Sequence, residues 1–188
     1  MNIQPNMPMS KAAFIEWGAT EEERYELVGG RVVMMPRPSL AHGMIVMNLA
    51  MLLRSRLDPN QWVVVAEFGL DAGPETLRYP DIVVDRAGGS GKSYTAGAPV
   101  LLAEVLSPSS VEVDLGDKAV EYLRVPSLLA YIVLSQDEPK AWVHARSGAK
   151  FIPVPVVIKG TEANIQIADL QIELPMSEIY AGVRFDGN

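Results

Sequence analysis

The chain has 188 residues, 48% of them hydrophobic and 21% charged, and it contains no cysteine. That length and apolar content allow one domain with a sizeable core, while the lack of cysteine removes disulfides, zinc–thiolate sites and thiol nucleophiles together. A formal charge of −7 argues against gripping nucleic acid through a broad basic stripe, although Arg24, Arg31, Arg37, Arg54 and Arg56 could gather into a local patch on folding.

No apolar run reaches the roughly 18 residues of a membrane-spanning helix. Residues 1–6 lack the basic and apolar regions of a signal peptide, so the expectation is a soluble cytoplasmic protein with no membrane partner. In chain order, Ser10 is placed to cap a short helix over 11–17, with Ala13, Phe14 and Trp17 as its apolar side. Thr20-Glu21-Glu22-Glu23 has capping-box spacing but reads as a turn. Residues 24–28 and 31–35 flank Gly29-Gly30, the pattern of a two-residue hairpin. Ser39 opens the clearest helix, where His42, Ile45, Leu49, Leu52 and Arg56 follow one face and Val46 and Leu53 widen it.

Residues 62–70 and 77–84 are each predicted as a strand, and 87–91 as a loop. Residues 100–106 form a nearly continuous apolar strand of the kind found deep in a sheet. Ser107-Pro108-Ser109-Ser110 stops it, and a helix over 111–124 follows. Strands at 128–134 and 140–144 are joined by the turn Gln136-Asp137-Glu138-Pro139. Residues 151–158 read as an edge strand, because Pro153 and Pro155 cannot donate ladder bonds. Residues 165–172 are weakly extended, and 177–183 form a terminal helical turn. With no repeat and no interdomain linker, the pattern is that of a mixed α/β chain.

Two motifs fail on inspection. Gly91-Lys92-Ser93 ends like a phosphate-binding loop, but the required glycine five positions earlier is Arg86, and Gly97 and Pro99 interrupt any following helix. Ser107, Ser109 and Ser110 cluster after a strand, but no nucleophile-elbow pattern surrounds them, and they read as a strand-ending cap.

The carboxylates stand apart. Pro80 biases Tyr79 toward an extended conformation, so Asp81 enters a strand, with Val83 on the same face. Glu104 interrupts the second apolar strand. Burying an ionised carboxylate costs several kcal/mol, roughly, unless it is paired or bound to a cation. If the two strands are neighbours, both acids converge within reach of one hard cation such as Mg²⁺, which takes one or two carboxylates with waters and phosphate oxygens. The plainer alternative is a turn-capping Asp81 and a Glu104 paired with a buried arginine. Lys118 leans toward the packed side of its helix, where an ammonium can orient or help deprotonate a water or stabilise a phosphoryl group. Asp114, at i−4, is a candidate partner for that lysine. Glu26 interrupts the hairpin strand, although hairpin carboxylates usually face solvent. His42, at a helix start, is either a ligand-facing imidazole or a half-buried one.

Tyr25-Glu26-Leu27-Val28-Gly29-Gly30, His42 with Leu49, Pro80-Asp81-Ile82-Val83-Val84, the run from Glu104 to Ser110, and then Asp114, Lys118 and Tyr122 together resemble the Uma-type endonuclease family of the PD-(D/E)xK restriction-endonuclease-like superfamily. The resemblance covers about residues 10–145 of the 188. It implies a restriction-endonuclease-like α+β fold, with a central mixed sheet flanked by helices in one domain over 1–188. An N-terminal helix and hairpin and a C-terminal β extension complete that domain. It further implies a Mg²⁺- or Mn²⁺-dependent endonuclease acting on DNA. Asp81 and Glu104 would be the metal ligands, the Val105 carbonyl an extra ligand, Lys118 the catalytic lysine, and Glu26 a helper of the metal shell. His42, Asp114 and Tyr122 would stand at the substrate or behind the ligands. Two departures accompany it: the superfamily's lysine position after the second acid is Leu106, and the stretch from Val125 to Tyr131 differs from the family's usual ending. A homodimer would suit double-strand cleavage. The rival expectation is an inactive scaffold or DNA-binding module that kept the fold.

Overall fold

The computed structural model describes residues 8–106, 113–148, 150–152 and 154–185, which form three sheets and four α-helices. Ser10 caps α1 (Lys11–Gly18) by accepting the Ala13 N–H. Of the expected apolar side, only Phe14 is fully buried. Gly29 and Gly30, at φ +55° and +77°, turn the chain between β1 (Tyr25–Val28) and β2 (Arg31–Met34), the left-handed pair that a tight hairpin demands and glycine adopts freely. Ser39 caps α2 (Leu40–Arg56), which buries Ile45, Leu49, Leu52 and Leu53. Each of those side chains contributes about 1.5–3 kcal/mol of hydrophobic stabilisation.

Each of the two long strands expected after α2 is split between sheets. The first becomes β3 (Trp62–Ala66) and β4 (Leu70–Gly73), separated at Glu67, whose φ of +53° turns the chain. The second becomes β5 (Thr76–Arg78) and β6 (Ile82–Arg86), because Tyr79-Pro80-Asp81 lies between them outside any ladder. The outer sheet therefore has the order β2-β1-β5-β4. The central one runs β10-β9-β8-β7-β6-β3, built with β7 (Leu101–Leu106), β8 (Ala130–Ser135), β9 (Lys140–Ser147) and β10 (Lys150–Phe151). β6 and β7 are antiparallel neighbours, and β7–β8 is a parallel pair, which requires a crossover.

That crossover departs from the expected helix over 111–124: a π-helical turn at Val113–Asp117 leads into a short α3 (Lys118–Tyr122). The expected cap at Ser107 to Ser110 lies outside the described residues. The expected edge strand is interrupted, leaving β10 and β11 (Val156–Lys159), both paired with β9. The weakly extended C-terminal segment is instead an antiparallel pair, β12 (Asn164–Ile167) and β13 (Ile172–Pro175), followed by α4 (Met176–Ile179).

The alternation of the central strands sorts the core onto two faces. Ile82, Val84, Leu101, Ala103, Val105, Ile132 and Leu134 pack with α2 and the C-terminal pair. Val83, Leu102, Leu106, Tyr131 and Val133 pack on the other side with Ala119 and Tyr122 of α3. Period two thus assigns Glu104 to the α3 face. Among the described residues, no helix is long and apolar enough to cross a membrane.

Candidate active site

Asp81 stands where the chain passes from the outer sheet to the central one, immediately before Ile82. The β6–β7 ladder ends at Ile82 opposite Ala103, so the Val105 N–H beyond it is free of that strand and donates to Asp81 Oδ2 at 2.7 Å. His42 Nε2 approaches the same oxygen to 3.1 Å. His42 is held in the first turn of α2, where its own N–H donates to the Ser39 hydroxyl.

Glu104, 4% exposed, points toward α3. Its Oε1 accepts both Lys118 Nζ and the Tyr122 hydroxyl, each at 2.9 Å. Lys118 also lies 3.1 Å from Asp114 Oδ1 and 3.7 Å from Glu26 Oε1. The Asp114 contact is charge proximity without hydrogen-bond alignment, since that buried Oδ1 accepts no hydrogen bond among the described residues. The π turn presents Asp114 and Lys118 to the same space, and the Tyr131 hydroxyl ties the turn down by donating to the Asp114 carbonyl at 2.9 Å.

Glu26 is buried rather than solvent-facing, at 5% exposure. The reason is Arg78, 52 residues away in sequence, whose Nη1 donates to Glu26 Oε2 at 2.9 Å. Arg78 also makes a two-point contact with Glu121, at 2.8 and 3.0 Å. The other Glu26 oxygen accepts the Tyr79 N–H. Glu26 therefore reaches the lysine while its hydrogen bonds go to Arg78 and Tyr79.

Asp81, Glu104, Val105, Asp114, Lys118 and His42 share one cleft of about 210 Å³; Tyr122 is behind it, bonded to Glu104. Arg24, Arg37 and Gln136 also line it, and none of these was assigned to a site from sequence. The two arginines belong to the basic group singled out there. Gln136 was read as a turn residue, and its Oε1 accepts the Ser39 hydroxyl at 2.6 Å. No local pattern distinguishes a turn glutamine from one aimed into a cleft.

The electrostatics are those of a centre short of positive charge. Glu26, Asp81, Glu104, Asp114 and Glu121 are met by Lys118 and Arg78, with His42 beside Asp81. Burial pushes the Glu104 carboxyl up to about 8, and Asp81 and Asp114 push the same way against the pull of Lys118. Burial alone would lower Lys118, but Glu104, Glu26 and Asp114 outweigh it and hold the ammonium above the usual lysine range. Burial likewise raises the Tyr122 phenol, helped by Glu104, so it stays a donor.

The residues fit a hard divalent cation. The available donors are carboxylate oxygens, the local charge is negative, and one buried oxygen of Asp114 accepts no hydrogen bond among the described residues, with only the Lys118 ammonium near it. Among the described residues, no three His, Asp or Glu side chains lie close enough to cage an ion by themselves. Such a site suits an ion that keeps waters and takes substrate oxygens, as Mg²⁺ does.

The central mixed sheet and its parallel crossover are those of a restriction-endonuclease-like fold. A crystal structure from Anabaena variabilis ATCC 29413, described as "a putative nuclease belonging to DUF820", superposes with a TM-score of 0.78 at 16% identity, over 94% of this chain and 100% of that one. The sequence model of the Uma2 family, described as "Putative restriction endonuclease", matches residues 12–177, and the chain belongs to that family. Two proteins of Synechocystis sp. (strain ATCC 27184 / PCC 6803 / Kazusa) are similar to it, both described as uncharacterized. One, sll1609, is 26% identical over 133 residues, covering 68% of this chain and 75% of its own. The other, slr1290, is 27% identical over 145 residues, covering 70% and 72%.

Proposed function

We propose that the chain is a Mg²⁺- or Mn²⁺-dependent endonuclease that hydrolyses DNA phosphodiester bonds. The observation that carries this reading is the convergence of Asp81 and Glu104 on one cleft with the ammonium of Lys118, 2.9 Å from Glu104. The family's description and the nuclease-like neighbour agree with it. A divalent cation held by Asp81, Glu104 and the carbonyl of Val105 would polarise the scissile phosphate and acidify a water.

The chain's own residues do the rest. Lys118, held charged by its carboxylates, acts as an ammonium that orients the attacking water and neutralises charge on the phosphoryl oxygens, rather than as a base. Asp114 and Glu26 place that ammonium, Tyr122 orients Glu104, and His42 fixes Asp81 from the α2 side. Lys118 thereby replaces the lysine missing at Leu106, reaching the second acid from the following helix. The assembly depends on the substrate: cutting both strands of a duplex calls for two sites and hence a homodimer, whereas a single strand needs one.

The test is a cleavage assay on single-stranded, double-stranded and branched DNA with Mg²⁺, Mn²⁺ or EDTA. Wild-type protein should cut in the presence of either metal and not in EDTA, and Asp81→Ala and Lys118→Ala should not cut. Activity that survives both substitutions overturns the mechanism. DNA bound but left intact by the wild type identifies the inactive, DNA-binding descendant.

A further inference from the structure

A second groove, of about 380 Å³, adjoins the catalytic cleft and shares Arg24 and Met35 with it. Its walls carry Tyr25, Tyr79 and Tyr94, and its rim carries Glu21, Glu22 and Glu23. Tyr25 is already packed on Trp17, with ring centroids 4.9 Å apart. Tyr79 lies two residues before Asp81, and Tyr94 is 69% exposed. The loop bearing Tyr94 is firmly seated: Thr95 bridges to Gly69, the Ala96 N–H donates to the Gly69 carbonyl at 2.8 Å, and a Cβ on Gly69 would overlap the Tyr94 carbonyl oxygen.

Between cleft and groove, beside the shared Met35, stands the ion pair of Arg24 Nη1 with Glu67 Oε1 at 2.5 Å. Both side chains are more than two-fifths exposed, so the pair adds little stability and is readily exchanged. Glu67 itself is held at φ +53°, a conformation unfavourable for a non-glycine residue, with its N–H donating to the Asp81 carbonyl. A strained residue that ties the cleft's arginine to a carboxylate marks a place where a phosphate, the better two-point partner for a guanidinium, can take over.

We propose that this groove is a nucleobase subsite and that the substrate strand enters single: one phosphate displaces Glu67 from Arg24, and the attached base lies against Tyr79 and Tyr94. The proposal rests on the nuclease reading for the identity of the ligand. Three observations favour a single strand over a duplex. The net charge of −7 disfavours a broad basic track for paired backbones. Besides Lys118, Arg24 and Arg37 are the cations lining the cleft among the described residues, the first paired with Glu67 and the second with Glu23, enough for one or two phosphates once those carboxylates are displaced. The acidic rim repels a second backbone yet accepts hydrogen bonds from exocyclic base amines, while aromatic faces stack any base.

The test is fluorescence anisotropy with labelled oligonucleotides of about twelve nucleotides, within the span of single-strand binding sites, in EDTA so that no strand is cut. A mixed-sequence single strand should bind about tenfold tighter than the matching duplex or an abasic single strand, and Tyr94→Ala should remove about that factor, the loss of one stacked base. Tyr94→Trp should retain it, and Glu67→Gln, by releasing Arg24, should tighten single-strand binding. Equal affinity for the single and abasic strands, or wild-type affinity in Tyr94→Ala, overturns the subsite. Hydrolysis of bis(4-nitrophenyl) phosphate with Mn²⁺ separates this result from the nuclease reading, because that ester has no nucleobase. Hydrolysis without Tyr94-dependent binding keeps the nuclease and removes the subsite; Tyr94-dependent binding without hydrolysis does the reverse.

Discussion

Asp81 and Asp85 lie four residues apart, one immediately before β6 and one near its far end, and they are 6% and 8% exposed. Burial does not separate them; their partners do. Asp85 accepts three backbone N–H groups, from Arg86 at 2.9 Å, Gly97 at 2.7 Å and Ala98 at 2.8 Å, and so pins the loop before β7. Among the described residues, Asp81 has one backbone N–H and the His42 imidazole, and it shares a cleft with Glu104 and Asp114. A buried acid with a full set of donors is structural. One that is under-supplied and crowded by like charges is poised for a cation.

That contrast is most easily broken by exchanging the two residues' phenotypes. Asp81→Asn should lower metal-dependent DNA cleavage at least about a thousandfold, the equivalent of about 4 kcal/mol, with the urea midpoint unchanged or raised. Asp85→Ala should do the opposite, costing about 3 kcal/mol of stability by stranding the Gly97 and Ala98 donors, as read by urea unfolding. Stable but inactive Asp85→Ala would refute the division.

Glu104, crowded by Asp81 and Asp114, makes the cleft sensitive to pH. Its folded value of about 8 lies above the ordinary 4.5, so between those limits the folded chain holds a proton that the unfolded chain has released. The stability this contributes is fully present below about 4.5 and is lost as pH rises through about 8, at no more than about 1.4 kcal/mol per pH unit. In EDTA, wild type should lose stability from pH 6 to 8 relative to Glu104→Gln, and parallel curves would contradict the assignment.

The smallest effect belongs to His144, a buried neutral group stacked on Tyr131 whose Nδ1 accepts and donates nothing among the described residues. Burial lowers its pKa, so the unfolded chain takes up the proton first, and stability falls as pH drops below about 6.5. His144→Phe should flatten that acid limb in a pH series of thermal melts and leave stability above pH 7 nearly unchanged.

Much of the scaffold was legible because its signals are local. Gly29-Gly30 and Ser39 mark a hairpin and a helix cap by their own chemistry, and the apolar β7 run announces a central strand. The strand breaks were not legible: apolar and aromatic residues on both sides of Glu67 and of Pro80 read as continuous runs, and the switch of sheet is a tertiary choice. The acids Asp81 and Glu104 stood out against apolar neighbours. Arg78 did not, since its meaning comes from Glu26 and Glu121, brought to it by the outer sheet and α3. Gln136 was hidden for the same reason.

Whether the acids of the cleft form a cation site is decided by soaking Mn²⁺ into crystals of the protein. An anomalous peak should appear between the Asp81 and Glu104 carboxylates and disappear in Asp81→Asn. A cleft without a peak at millimolar Mn²⁺, with Lys118 still bonded to Glu104, would contradict a cation site there.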